Sequence, residues 1–152
     1  MLKKAVVSVV LAGVGAAAFL AWTSSAGTGP GLIRITSTQT RYAGIDMGRL
    51  GRSPGDMEVI RQSLFNRRIT PTPIGRSEIE CTFTFGKARI CRGTYFLTKG
   101  KIVVGGSIGN RDVYELAIVG GTGLYDNARG TLTAIRTARG PRREFLIFRL
   151  AG

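Results

Sequence analysis

Residues 113–136 read VYELAIVGGTGLYDNARGTLTAIR. The first seven of these residues alternate with a period of two, which is typical of a β-strand. Gly120 to Gly123 follow and predict a glycine corner, because glycine adopts backbone conformations that are closed to other residues. The chain returns to an extended, β-branched pattern at Gly130. This stretch therefore predicts two strands joined through a glycine corner.

A glycine cluster after an apolar strand also occurs in nucleotide-binding loops, where backbone N–H groups approach phosphate at a helix N-terminus. Two features of this sequence disfavour that interpretation. Asp126 occupies the position at which the dinucleotide motif needs its third glycine. The residues after Gly130 are β-branched and predict a strand, whereas the motif needs a helix there.

The remainder of the chain carries the same pattern of short strands separated by turn residues. Eight strands in all favour a closed barrel or a sandwich. Residues 40–54 are polar and glycine-rich and predict an open loop. Residues 57–65 alternate imperfectly and contain good helix formers, but we interpret them as a strand. The predicted strands are residues 32–38, 57–65, 77–85, 88–97, 101–107, 113–119, 131–136 and 143–150.

The N-terminus has the features of an export signal. Lys3 and Lys4 precede an apolar run over residues 5–22, and small residues end the segment at Ala26. We predict a signal peptide over residues 1–26, a tether over 27–31, a barrel domain over 32–152, and a secreted or extracytoplasmic location. The alternative is a retained N-terminal membrane anchor, because the apolar run is close to the length that spans a bilayer. Any membrane contact would then be made through this uncleaved segment.

Cys81 and Cys91 are the only cysteines of the chain. If the strands around them form a hairpin about Gly86, the two side chains lie opposite each other on one face, at a separation that suits a disulfide. Export favours the same bond. Two thiols without any histidine supply too few ligands for a typical metal site. We therefore predict a disulfide, no metal and no cofactor.

Several motifs resemble those of dirigent proteins and of the related allene oxide cyclase barrels. The resemblance extends from residue 32 to the C-terminus. It implies an all-β fold, an eight-stranded antiparallel closed β-barrel of calycin-like type, and a homo-oligomer, a dimer or more typically a trimer. The plant loops around the ligand site are short here, which predicts an exported bacterial-type member with a different ligand. The motifs are Ala117-Ile118-Val119-Gly120-Gly121-Thr122-Gly123, Ala128-Arg129-Gly130, Gly93-Thr94-Tyr95-Phe96-Leu97, Gly100-Lys101-Ile102-Val103-Val104-Gly105-Gly106, Gly75-Arg76-Ser77 and Gly55-Asp56.

The chain contains no histidine, no nucleophile elbow and no phosphate-binding loop, so conventional hydrolysis is disfavoured. A barrel of eight strands can instead hold one small ligand. The resemblance implies that it steers the stereoselective cyclisation or coupling of a small apolar or aromatic molecule, either as an isomerase or cyclase-like enzyme or as a non-catalytic dirigent-type protein. A dirigent-type protein would work with a separate oxidase.

The resemblance and the residue types together indicate five candidate site residues. Asp56 and Arg129 match family motifs and are the catalytic candidates, although Asp56 could equally cap a turn and Arg129 could pair with an acidic neighbour. Tyr95, Tyr114 and Tyr125 are the ligand-binding candidates, although buried tyrosines are often core residues. Glu78 and Glu80 share a face that alternation directs outward if Ile79 and Phe83 point inward, so we do not predict a catalytic pair there. The reverse orientation is equally compatible with the alternation.

The formal net charge is +13, and about +11 would remain without Lys3 and Lys4. Such a charge attracts polyanions but says nothing about the fold. The alternative function is therefore a non-enzymatic extracellular ligand carrier, or a basic protein that binds polyanions or the cell surface. The scattered arginines do not favour nucleic acid as the partner.

Overall fold

The computed structural model describes residues 30–48 and 50–151, and the predicted signal peptide and most of the tether lie outside them. Within the described residues every regular element is a strand, and no helix there could cross a bilayer. The strands are β1 (Leu32–Ile45), β2 (Met57–Phe65), β3 (Gly75–Phe83), β4 (Arg89–Leu97), β5 (Gly100–Ile108), β6 (Val113–Gly123), β7 (Arg129–Arg139) and β8 (Arg142–Ala151).

The eight strands form a closed barrel in chain order, and β8 pairs with β1 to complete it. Each neighbouring pair is antiparallel. The predicted all-β closed barrel is confirmed, and the sandwich alternative is wrong. Because every connection joins neighbouring strands, the turns after odd-numbered strands lie at one end of the barrel. The turns after even-numbered strands lie at the opposite end.

Alternation along each strand decides which side chains fill the barrel. On β8, Leu146 and Phe148 are fully buried, whereas Arg149 is exposed. Glu78 and Glu80 lie on the outer face, which the sequence left open, and form ion pairs with neighbouring arginines there. The centre of the barrel is filled by large side chains that have no exposed surface, namely Leu64, Tyr95, Ile102, Leu132, Leu146 and Phe148.

The first strand is longer than the sequence predicts. Residues 40–45 belong to β1, where an open loop was expected, because they pair with the start of β2 beyond a bulge after Gln39. β8 pairs with β1 only as far as Thr38. The end of β1 therefore extends past β8, paired only with β2, and the true loop is confined to the residues between Ile45 and Met57.

The predicted glycine corner is also wrong in detail. Gly120 to Gly123 continue β6 and pair with the start of β5, after a bulge at Val119. The reversal comes later, in the turn that begins at Leu124. Gly123 has a φ of 65°, the left-handed conformation that glycine adopts without a Cβ penalty. The glycines therefore allow two backbones to approach closely within the sheet.

The predicted disulfide between Cys81 and Cys91 is present, and the two residues are directly opposite each other in the β3–β4 pair. Both side chains are buried in the barrel. Gly86 lies in the hairpin turn with a φ of 74°. The bond therefore joins two strands from inside the barrel wall.

Replacing both cysteines with alanine is expected to lower the free energy of unfolding by about 2 to 3 kcal/mol, because the bond restricts the unfolded chain over a short loop. Urea unfolding of the oxidised protein and of the double variant measures this difference. The reduced wild-type protein is the control and should resemble the variant. Equal midpoints for the oxidised protein and the variant would contradict the expectation.

Candidate functional site

A cavity of about 440 Å³ opens at the end of the barrel that carries the turns after odd-numbered strands. We call it the mouth cavity. The extended end of β1 contributes Gln39 and Tyr42 to its wall, and the remaining lining comes from the loops and strand ends around the mouth. The lining residues are Gln39, Tyr42, Arg52, Glu58, Arg89, Asn110, Asp112, Arg136, Arg139 and Arg142.

The mouth cavity is strongly cationic, because five arginines but only two carboxylates line it. Asp112 pairs with Arg136 and Arg139, both at 3.2 Å. Glu58 pairs with Arg89 in a bridge whose side chains are almost fully buried. Positive charge therefore exceeds negative charge on the cavity surface, and the site attracts anions.

Glu144 lies beneath the cavity floor and has no exposed surface. Its carboxylate accepts hydrogen bonds from Gln62 Nε2 and the Tyr114 hydroxyl, both at 2.9 Å, and from Arg142 Nε at 2.7 Å. The Ser77 hydroxyl donates in turn to the Gln62 side-chain oxygen at 2.9 Å. A fully connected polar network of this kind fixes the orientation of Arg142 at the floor.

The protonation states of this network follow from burial and from its partners. Burial works to lower the pKa of Arg142, but Glu144 and Tyr114 outweigh it and the pKa rises. Burial and the nearby Glu144 raise the pKa of the Tyr114 hydroxyl. Tyr114 therefore remains a hydrogen-bond donor at neutral pH.

The barrel below the floor has no room for a guest molecule. The space beneath Arg89 and Arg142 is about 10 Å³, and the disulfide forms part of its wall. That volume is close to what one water molecule needs. The space beneath the mouth cavity therefore does not hold a guest molecule.

Asp56 lies at the mouth end, but its carboxylate faces its own loop. It accepts hydrogen bonds from the backbone N–H groups of Met47 at 2.8 Å and Ser53 at 2.6 Å, and from the Ser53 hydroxyl at 3.1 Å. These hydrogen bonds lower the pKa of Asp56, and the one from the backbone N–H of Met47 has the largest effect. The geometry is that of the turn-capping alternative, and it positions the β1–β2 loop beside the cavity.

Asp56→Asn is expected to destabilise the protein at neutral pH and to make it less sensitive to acid. The folded-state pKa of Asp56 lies below its ordinary value of 3.8, so the stabilisation is complete above that value and is lost as the pH falls through the folded pKa. Urea unfolding at a series of pH values measures the difference between wild type and variant. The difference should shrink below about pH 4, and a difference that is constant down to pH 2 would contradict this.

Arg129 and Tyr125 lie at the opposite end of the barrel. Arg129 Nη1 donates to the carbonyl oxygens of Val119 at 3.0 Å and Ala128 at 3.1 Å, and the residue is exposed. Tyr125 is buried in the β6–β7 turn. The structure therefore does not bring Asp56 and Arg129 together, since the length of the barrel separates them.

Tyr95 and Tyr114 both point into the barrel, at different depths. Tyr95 has no exposed surface, and its ring meets that of Phe148 edge-to-face at 5.0 Å. Its hydroxyl has no hydrogen-bond partner among the residues that the structure describes. Tyr114 lies just below the floor and interacts with the mouth cavity through Arg142. Of the five predicted site residues, Tyr114 is the one connected to the cavity lining.

Sequence reasoning missed the polar residues that shape the floor. Glu58 and Gln62 occupy the inward phase of β2, and Arg142 and Glu144 occupy that of β8. Glu58 and Gln62 interrupt the alternation of apolar and polar residues in β2. A polar or charged residue at a strand position where an apolar one is expected was the signal that could have located them.

No protein-family model and no curated protein sequence matches the chain. A structure of a pyocyanin demethylase matches with a TM-score of 0.68 and 25% identity, over 79% of this chain and 99% of that chain. A pterocarpan synthase dirigent protein matches with a TM-score of 0.63 and 14% identity, over 77% of this chain and 84% of that chain. The chain has the dirigent and cyclase barrel fold. The predicted resemblance is thereby confirmed.

Among further structures similar to this dirigent-like barrel is the Diels–Alderase AbmU from Streptomyces koyangensis. Its TM-score is 0.63 at 16% identity, over 79% of this chain and 64% of that chain. Proteins of this fold thus carry the names of both cyclases and dirigent proteins. At these identities the similarity establishes the fold.

Proposed function

We propose that this protein is an exported dirigent-like barrel that holds a small organic molecule in the mouth cavity and steers its cyclisation or coupling. The observation that carries the proposal is a cavity of about 440 Å³ at the mouth of a closed barrel whose centre is packed. Cavities of this size are typical of small-molecule sites. The names of the structural neighbours, which include a demethylase of pyocyanin and Diels–Alderases, support a small organic ligand.

The mouth cavity can act on a guest through orientation and electrostatics. Holding a flexible molecule in one folded conformation lowers the barrier to ring closure by several kcal/mol. Selection of one stereoisomer needs less, since about 1.4 kcal/mol between competing transition states gives a tenfold preference. Fixed guanidinium groups at the floor, those of Arg89 and Arg142, stabilise negative charge that develops on a substrate oxygen. Coupling of radicals would need a separate oxidase, whereas cyclisation would not.

The candidate residues take different parts in this proposal. Tyr114 orients Arg142 through Glu144, and Asp56 positions the loop at the rim of the cavity. Direct catalytic contact by Asp56 or Arg129, and ligand contact by Tyr95 or Tyr125, stay predictions. Export is supported by the disulfide, which persists in oxidising compartments. Assembly into a homo-oligomer stays a proposal from the sequence resemblance.

The test is to close the mouth and measure stereoselectivity. Gln39 is half-buried in the cavity wall, so Gln39→Trp is expected to fill the cavity and to abolish steering. The assay uses substrates that cyclise or couple spontaneously to racemic products, with chiral chromatography of the products. Thr72→Trp, at the opposite end, is the control and should behave as wild type. Steering that survives Gln39→Trp would refute the proposal, and binding without any enantiomeric excess would indicate the carrier alternative.

A further inference from the structure

The mouth cavity continues into a second hollow of about 290 Å³ between the β1–β2 loop and the β3–β4 turn. Arg52, Arg89 and Asn110 line both spaces. The second hollow is the less polar of the two, with Pro54 and Phe83 in its wall, although Lys87 lines it as well. Together the two spaces form a cationic site, and its second part adds an apolar surface at Pro54 and Phe83.

Arg89 lies at the boundary between these parts and is only 7% exposed. One of its terminal nitrogens donates to Glu58, but its Nε–H group is buried without a partner among the residues that the structure describes. Burial, opposed by Glu58, lowers the pKa of Arg89. Arg89 thus shares its charge with one carboxylate while lining both spaces, and an anionic group in the cavity beside its guanidinium would add a charge-assisted acceptor.

The ring of Phe83 lies next to this guanidinium. The Arg89 guanidinium carbon is 5.8 Å from the ring centroid, and that of Arg52 is 5.1 Å from it. Arg52 is exposed and belongs to the β1–β2 loop. A planar ligand in the second hollow would therefore meet an aromatic face and a guanidinium plane, both of which favour stacking with conjugated rings.

We propose that the ligand of this barrel is an aromatic or conjugated molecule with one anionic group, such as a carboxylate, a sulfonate or an ionised enol. The anionic group binds at Arg89 on the cavity floor, and the conjugated part lies against Phe83 in the second hollow. This inference rests on the proposed function and adds the substrate class. It also explains why the mouth of a small-molecule barrel is cationic when its centre is apolar.

Two fluorescent probes of nearly the same shape test the charge requirement. 8-Anilinonaphthalene-1-sulfonate is anionic, and N-phenyl-1-naphthylamine is its neutral counterpart without the sulfonate. Wild-type protein is expected to bind the anionic probe at least about tenfold more tightly, the scale of one charge-assisted hydrogen bond. Benzoate should displace the bound anionic probe, whereas benzyl alcohol should not.

Three variants locate the effect. Arg89→Met should remove most of the preference for the anionic probe and leave the neutral probe unchanged. Arg89→Lys keeps a cation beside Glu58 for folding and should still reduce the preference, because an ammonium lacks the planar donor fork of the guanidinium. Phe83→Ala should weaken the binding of both probes. Arg92→Met, on the outer face with a side chain that is 81% exposed, is the matched control and should leave both affinities unchanged.

The outcomes separate the two proposals. Equal affinities for the two probes, or an Arg89→Lys protein with full anion preference, would overturn the inference about substrate class and leave the proposed function standing. If neither Phe83→Ala nor Gln39→Trp changes the affinity for either probe, the mouth does not bind small molecules. The proposed function then fails as well.

Discussion

Glu144→Ala is expected to lower the free energy of unfolding by about 3 to 5 kcal/mol, because it leaves the largely buried guanidinium of Arg142 without its fully buried ion-pair partner. The substitution also removes the acceptor of two further buried donors, Gln62 Nε2 and the Tyr114 hydroxyl. Each buried donor left without a partner costs about 1 to 3 kcal/mol. Urea unfolding of wild type and variant at pH 7 measures the loss.

Two comparisons show whether the loss comes from the buried charge. Glu80→Ala removes a carboxylate from an exposed ion pair with Arg92 and should cost less than about 1 kcal/mol. Replacing Arg142 and Glu144 together with methionine should recover a large part of the loss, since a buried pair exchanged for apolar side chains is often neutral. A Glu144→Ala variant no less stable than Glu80→Ala would contradict the structure of the floor.

Gly121→Ala is expected to destabilise the barrel by on the order of 3 kcal/mol or more, through backbone displacement in the sheet. A Cβ atom at this position would overlap with the carbonyl oxygen of Tyr125 and lie 2.8 Å from that of Lys101. Neither oxygen belongs to a flexible side chain, so the strands themselves must move. Thermal and urea unfolding measure the change.

The neighbouring glycine is the matched control. A Cβ atom on Gly120 would meet no heavy atom within 4 Å, so Gly120→Ala should change the free energy of unfolding by less than about 0.5 kcal/mol. The two variants differ by one position within β6. Similar stabilities for both would show that β5 and β6 do not approach each other as closely as the structure describes.

The sequence predicts most of the barrel because alternation is a local property. It places Ile79 and Cys81 on one face of β3 and Glu78 and Glu80 on the other, and the cysteine pair follows from that register; the structure shows that the first face points inward. Local patterns do not show how far a strand continues with a partner. The composition of the polar end of β1 and of the glycines at the end of β6 disfavours a strand. These residues are extended because they pair with β2 and β5.

The candidate site was harder to predict because it depends on which turns share an end of the barrel. Asp56 precedes β2 and Arg129 begins β7, so they flank connections that follow β1 and β6. In a barrel of consecutive hairpins these connections lie at opposite ends. Counting strands could therefore have separated the two residues, whereas motif matching placed them together.

The cavity floor depends on contacts between distant parts of the chain. Glu144 meets Gln62 and Tyr114, which are 82 and 30 residues away along the chain. No local spacing indicates such a cluster. The sequence does place Glu58, Arg142 and Glu144 at strand positions that otherwise carry apolar side chains. This pattern indicates that charged residues point into the barrel, but it does not indicate which of them meet.

A crystal structure of the protein soaked with 4-iodobenzoate tests the central claim, that an anionic aromatic guest binds in the mouth. The anomalous signal of iodine shows where the ligand lies before the ligand is built into the electron density. We expect the iodine peak beside Phe83 in the second hollow and the carboxylate on Arg89. An iodine peak at the opposite end near Tyr125, or on the outer face of the barrel, with the mouth vacant, would contradict the account.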